Sequence, residues 1–202
     1  MDHDRKTLIL FSLILLIAFT VTFLDIGAYK NENSSDSAIS AYSSGNATSI
    51  SSGDIILYLP PEEGMEVRME KELVKAFENL GYSVTFTDEL KDDYGSQFAF
   101  VNVLDTRILY TPVYSSSDID VIFGYSSSGK TQYLDVEGLD ERRTVVFSSN
   151  GTDGYQLLVQ GNICFHDETK GLFTYRSYHN HLADEVARSV AQALDSQIRT
   201  DI

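Results

Sequence analysis

The feature that most constrains this chain is an uninterrupted apolar run near its N-terminus. Residues 7–24 read TLILFSLILLIAFTVTFL, which is 18 residues without a charge. As a helix this run would be about 27 Å long, close to the hydrocarbon thickness of a bilayer. It therefore predicts an N-terminal transmembrane helix and makes the membrane one partner of the protein.

The charges beside this run predict its orientation. Arg5 and Lys6 precede it, and Asp25 follows it. Basic flanks stay on the cytoplasmic side, so residues 1–6 are predicted to be a cytoplasmic stub of a single-pass, signal-anchored membrane protein. The alternative is a cleaved signal peptide, but Ile26 and Ala28 fit a cleavage site poorly. Either alternative predicts that the rest of the chain is extracytoplasmic.

Residues 25–53 are rich in Ser and poor in large apolar side chains. Such a composition cannot compensate for the conformational entropy lost on folding, so it predicts a flexible linker. Asn33-Ser-Ser and Asn46-Ala-Thr lie in this linker, and Asn150-Gly-Thr lies further on. All three triplets are candidate glycosylation sites, which predicts a glycoprotein and agrees with an external location.

Residues 54–202 have the length of one domain. The whole chain contains 30 acidic and 15 basic residues, for a formal net charge of −15. An acidic surface repels phosphate backbones, which excludes nucleic acid as a predicted partner. Cys164 is the only cysteine, so no intrachain disulfide is possible and burial must hold the fold.

The first part of the domain has the pattern of a β-α-β unit. Residues 54–59 are a nearly continuous apolar run that ends before Pro60, which predicts a buried strand. Apolar residues then recur at helical spacing over 65–80, and Gly81 can supply a left-handed C-terminal cap. Alternation at 84–86 predicts a second strand, parallel to the first.

The later part of the domain favours strands joined by turns. Short β-prone runs cover residues 98–104, 107–114, 118–125, 144–148 and 155–165. A hairpin loop is predicted at 167–171, a return strand through Tyr178, and a helix over 182–194. The predicted fold class is α+β: a mostly antiparallel sheet opened by a β-α-β unit, with two helices packed on one face, preceded by the N-terminal transmembrane helix.

One segment matches the phosphate-loop pattern GxxxxGK[ST] through Gly124, Gly129, Lys130 and Thr131. In a nucleotide site the lysine would reach the outer phosphates and the threonine would hold Mg²⁺. The segment that follows contains Gly138 and has no apolar stripe, so the helix that this chemistry requires is not predicted. The alternative is a chance match in a Ser/Gly turn of a hairpin.

The histidines and the cysteine are the other candidates for chemistry. His179 and His181 could hold a metal ion, whereas the predicted hairpin separates them from Cys164 and His166 by roughly 23 Å. The alternative for the histidine pair is a solvated junction between a strand and a helix. Cys164 lies two residues from His166, a spacing at which an imidazole could activate a thiol.

No complete catalytic set emerges, and no catalytic residue or cofactor is predicted. The sequence favours a membrane-anchored extracytoplasmic domain that is a non-catalytic binding or accessory component of the cell envelope, with another envelope protein as its partner. The alternative is an enzyme that uses the segment around Lys130 or a metal site at His179 and His181.

Overall fold

The computed structural model describes residues 2–23, 27–44, 53–60, 65–136 and 156–200. These ranges contain three helices and six strands. In chain order they are α1 (Asp2–Phe23), β1 (Gly27–Ser44), β2 (Asp54–Tyr58), α2 (Met65–Asn79), β3 (Ser83–Thr87), β4 (Gln97–Tyr110), β5 (Tyr114–Ser126), β6 (Gln156–Phe173) and α3 (Tyr175–Thr200).

The six strands form one mixed sheet in the order β1-β6-β5-β4-β2-β3. The pairs β1–β6, β6–β5 and β5–β4 are antiparallel. β2 is parallel to both of its neighbours, β3 and β4. The prediction of a mostly antiparallel sheet is therefore wrong, because β4 continues the parallel half that β2, α2 and β3 begin.

The described part of the chain contains no helix long and apolar enough to cross a membrane. The first five residues of α1, Asp2 to Lys6, are all polar or charged, so nearly a quarter of the described helix is not apolar. The predictions of a transmembrane helix over residues 7–24, a signal anchor and a single-pass membrane location are corrected accordingly.

The Ser-rich segment also differs from its prediction. Gly27–Ser44 forms the strand β1, which pairs antiparallel with β6 over its whole length. Composition predicts a flexible linker here because the segment has few large apolar side chains. The ladder to β6 pairs the backbone groups on one side of the strand instead, so the linker prediction is corrected for residues 27–44.

α2 and α3 pack on one face of the sheet. α2 buries Met65, Met69, Leu73 and Phe77, and α3 buries Leu182, Val186, Val190 and Leu194. Both sets recur every four residues, as one face of a helix requires. They meet a sheet face formed by Ile119, Val121, Phe123, Val159, Ile163 and Phe165. Each fully buried large side chain contributes about 2 kcal/mol, so this layer is the main source of stability.

β6 continues past the predicted hairpin. The strand extends to Phe173, and α3 begins at Tyr175, where a return strand to Tyr178 is predicted. The polar residues of 167–171 resemble a loop, but Asp167 and Thr169 are buried on the helix face of the sheet. This part of β6 therefore places polar side chains beneath α3, and the hairpin prediction is wrong.

Candidate functional site

Among the described strands β1 is an edge of the sheet, since its only neighbour in their order is β6. The strand is 18 residues long and consists largely of Ser, Asn and Ala. In an edge strand, alternate residues direct their backbone N–H and C=O groups away from the sheet. β1 thus presents a long row of outward backbone groups, flanked by small side chains.

Three side chains on the helix face of β1 attach it to the rest of the domain. The Asn31 amide lies 3.3 Å from His181 Nε2, and Asn33 Nδ2 donates to Glu185 Oε2 at 3.1 Å. The ring of Tyr29 lies 5.5 Å from that of His181, between centroids. We call this set the α3 anchor of β1. These contacts hold the strand to α3, in addition to the backbone ladder with β6.

The α3 anchor rests on a buried carboxylate. Asp167 is fully buried, and Thr169 Oγ1 donates to its Oδ2 at 2.8 Å. His181 Nε2 lies 3.1 Å from Oδ1, and the His181 side chain is only 9% exposed. Both carboxylate oxygens therefore have partners, which a buried charge requires. Sequence reasoning missed Asp167, although it continues the alternation of buried residues that starts at Ile163.

His181 connects Asp167 to β1, and the position of the proton on its ring decides which of the two it hydrogen-bonds. His181 Nε2 lies between the Asp167 carboxylate and the Asn31 amide. A single ring nitrogen cannot donate to one group and accept from the other at the same time. With the proton on Nε2 the ring donates to the Asp167 carboxylate, and with the proton on Nδ1 the ring accepts from Asn31 Nδ2. His181 is therefore the bridge between the buried carboxylate and the edge strand.

Two hydroxyls complete the polar cluster under α3. Ser117 Oγ and Tyr178 Oη are buried and have no partner with hydrogen-bond geometry among the described residues. Burial raises the pKa of Tyr178, with Ser117 lowering it and Asp167 raising it further, so the phenol stays protonated. Tyr178 and Asp167 have no solvent exposure. The polar cluster under α3 is therefore closed to solvent.

The structure does not bring His179 and His181 together. They lie two residues apart in α3, so their side chains point about 200° apart around the helix axis. His181 contacts Asp167, whereas the His179 ring lies 4.1 Å from that of Tyr175. No group of three or more metal-ligating side chains occurs in the described ranges. The predicted metal site thus has no third ligand in that part of the chain.

Cys164 and His166 lie on the opposite face of the sheet, in a part of it that is exposed and acidic. His166 Nδ1 lies 2.8 Å from Asp118 Oδ1, and both side chains are about half exposed or more. In the sheet register Cys164 is flanked by Asp36 on β1 and Asp120 on β5. Flanking carboxylates disfavour a thiolate, so these neighbours oppose activation of Cys164.

The phosphate-loop match falls in a strand and a turn. Gly124 lies within β5, where a Cβ would meet the Phe100 ring at 2.4 Å. Gly129 has a φ of +80°, and Lys130 forms a β-bridge with Asp93. Thr131 Oγ1 donates to the Lys91 carbonyl at 2.8 Å. Residues 127–136 contain turns and no helix, so the described part of this segment supports the interpretation as a turn.

The glycosylation candidates have different positions. Asn33 lies in the middle of β1, where its amide belongs to the α3 anchor. Asn46 and Asn150 lie outside the described residues. The sequon at Asn33 therefore occupies an ordered strand, and a glycan there would replace the hydrogen bond to Glu185.

A surface cleft of about 170 Å³ lies between α2 and α3. Its charged residues pair with one another: Lys75 Nζ lies 3.0 Å from Glu72 and 3.6 Å from Asp184, which also pairs with Arg188. The hydrogen bond to Glu72 is the main reason why the pKa of Lys75 is raised. These charges lie at the surface, where solvent screens them, so they stabilise the contact of the two helices only weakly.

No protein-family model and no curated protein matches this chain. Similar solved structures include the dodecamer of a single-residue variant of PelC from Paraburkholderia phytofirmans, with 11% identity over 77% of this chain and 94% of that chain, at a TM-score of 0.31. The PelC dodecamer from the same organism has 11% identity over 76% of this chain and 95% of that chain, at a TM-score of 0.35. Likenesses of this size carry no argument about function.

Proposed function

We propose that this protein is a non-catalytic binding domain whose edge strand β1 pairs with an extended segment of another polypeptide. The observation that carries the proposal is the length of β1: it has 18 residues and, within the part of the chain that the structure describes, a neighbouring strand on one side only. In strand addition, main-chain hydrogen bonds supply the affinity and alternate side chains supply the specificity.

The α3 anchor prepares β1 for such binding. Asn31 and Asn33 connect the strand to His181 and Glu185, so the strand keeps its extended shape without a partner. Ordering a free strand would cost about 1–2 kcal/mol for each residue, and this cost lowers affinity. A strand ordered in advance avoids that cost, which favours β1 as a template for a second strand.

The composition of β1 also suits the approach of another backbone. Its side chains are mostly small and polar, so they leave the outward N–H and C=O groups accessible. The formal net charge of −15 disfavours a polyanionic ligand. A polypeptide segment without a large excess of acidic residues is therefore the partner class that this edge fits best.

Two neighbouring proline variants test the proposal. Successive residues of a strand direct their N–H groups to opposite sides, so Ser34→Pro and Ser35→Pro remove one inward and one outward donor. The inward variant should lower the melting temperature. The outward variant should keep it and weaken peptide binding by at least about tenfold, the effect of losing one to two net hydrogen bonds.

The probe is a ten-residue peptide selected from a displayed random library and titrated by fluorescence polarisation against the full chain. Binding that is lost only in the proline variant with the native melting temperature supports the proposal. If no peptide is selected, or if both variants bind the peptide as tightly as the unmodified protein, β1 is not the binding edge.

A further inference from the structure

We infer that the segment that pairs with β1 is β1 of a second copy of this chain, in an antiparallel register centred on Asn33. This inference rests on the proposed function, because it names the partner of the same edge. It follows from the charges of the strand and from their poor match with β6.

The charges of β1 face like charges within the sheet. Lys30 lies opposite Lys170 of β6, and Glu32 lies opposite Glu168. Directly opposed like charges are destabilising. The only ion pair that β1 forms among the described residues joins Lys30 and Glu32 along the strand itself, at 3.5 Å and with both side chains more than 70% exposed. Asp36 lies opposite the uncharged Cys164. The complement of these charges is therefore better supplied from the outer side of β1.

A two-fold axis through Asn33 supplies that complement. It places Lys30 of each copy opposite Asp36 of the other, and Glu32 opposite Ser34. Residues 27–39 pair with their equivalents, and no like charges are opposed. Opposite charges across an antiparallel pair contribute roughly 0.2–1 kcal/mol each, and a symmetric interface contains every contact twice.

Neighbouring registers are worse. An axis through Glu32 opposes the two Glu32 carboxylates, and an axis through Ser34 opposes Glu32 and Asp36 twice. An axis through Asn31 pairs Lys30 with Glu32, but it joins only residues 27–35. The charges thus select the register centred on Asn33, in a strand whose small polar residues would otherwise allow slippage.

The position of α3 allows this pairing. An axis through a residue keeps the same face of both sheets on one side, so the two α3 helices lie above one continuous sheet. α3 packs mainly on β6, which makes the two helices three strand spacings apart. That separation is about 14 Å, more than the 8–10 Å between packed helices. α3 of one copy therefore does not collide with α3 of the other.

A cysteine at the axis tests the register directly. In a Cys164→Ser background, Asn33→Cys places two thiols opposite each other, with Cα atoms about 4.5–5.5 Å apart, within the range of a disulfide. Mild oxidation of the full chain should give a covalent dimer. The matched control, Ser37→Cys on the same face, places the thiols roughly 27 Å apart and should give no covalent dimer under the same conditions.

Charge exchange tests the ion pairs. Lys30→Glu and Asp36→Lys should each weaken the dimer at least about tenfold in sedimentation equilibrium, since each creates two opposed like charges. The double variant should restore it. Glu32→Lys makes the same change of charge as Asp36→Lys but faces Ser34, so it should leave the dimer within about threefold of the unmodified chain.

Equal crosslinking of the Asn33→Cys and Ser37→Cys chains, or a double variant that fails to restore the dimer, overturns the register. A chain that stays monomeric and still binds selected peptides overturns this inference and leaves the proposed function intact. A chain that neither self-associates nor binds peptides overturns both.

Discussion

The carboxylate of Asp167 has no contact with solvent, so its charge depends on the groups that touch it. His181 supplies one of these contacts at 3.1 Å. A buried polar group left without its hydrogen-bond partner typically costs about 1–3 kcal/mol, and more where the group is charged. We therefore expect His181→Ala to lower the free energy of unfolding by about 3 kcal/mol, measured by urea denaturation.

His166 provides the matched control, because it pairs with Asp118 at 2.8 Å on the open face of the sheet. An exposed ion pair contributes about 1 kcal/mol or less, so His166→Ala should cost no more than that. If the two alanine variants have the same free energy of unfolding, burial of the Asp167–His181 pair does not stabilise the domain, and the α3 anchor does not depend on that pair.

His179 gives the domain a dependence on pH. Burial, with a smaller contribution from the charge of Arg68, lowers its pKa from the ordinary 6.5. A group whose folded pKa is depressed binds protons more readily in the unfolded chain. Its contribution to stability is complete above pH 6.5 and is lost as the pH falls from there toward the depressed value.

Thermal unfolding between pH 5 and pH 8 measures this effect. His179→Phe removes the titrating group and keeps a ring against Tyr175, which lies 4.1 Å away. We expect the melting temperature of this variant to fall less on acidification than that of the unmodified protein. Parallel curves for the two proteins would show that His179 is not desolvated.

The turn after β5 depends on its glycine. Gly129 has a φ of +80°, and a Cβ there would lie 2.2 Å from the Ser96 carbonyl oxygen. Gly81 has a φ of +96° but open space around it. Gly81→Ala should therefore cost about 1 kcal/mol of strain, and Gly129→Ala about 3 kcal/mol or more, since it adds a backbone clash. Chemical denaturation of the two variants measures the difference.

The adjacent lysine distinguishes a turn from a nucleotide site. For a turn, Lys130→Ala changes stability by less than about 0.5 kcal/mol, and calorimetric titration with Mg-ATP gives no heat in either protein. Micromolar binding that the lysine variant loses would instead establish the segment as a phosphate loop.

The elements that sequence predicts well are those with local signals. β2 has a continuous apolar run, α2 has an apolar residue at every fourth position, and a glycine lies between α2 and β3. β1 has no such signal, because its pairing with β6 depends on a partner more than 100 residues away. The polar end of β6 misleads for the same reason: Asp167 and Thr169 resemble a loop until α3 covers them.

At the scale of the whole molecule, the order of the strands was beyond prediction. β4 pairs parallel with β2, and this pairing joins residues that are far apart in the sequence. No local run of residues specifies which strand β4 pairs with. The candidate site has the same origin. His181 is visible in the sequence as a possible ligand, but its contacts with Asp167 and Asn31 join α3, β6 and β1. The chemical type of each candidate residue could be predicted from the sequence, whereas which of these residues lie close together could not.

The β1–β6 ladder also has a mechanical consequence. The two strands are antiparallel over 18 residues, and Gly27 lies opposite Phe173, next to the start of α3. A pull on α1 directed along β1 would load all the rungs of this ladder together, in shear. A pull across the strand would break the rungs one after another, starting at Gly27. The domain should therefore resist a pull along β1 strongly and a pull across β1 weakly.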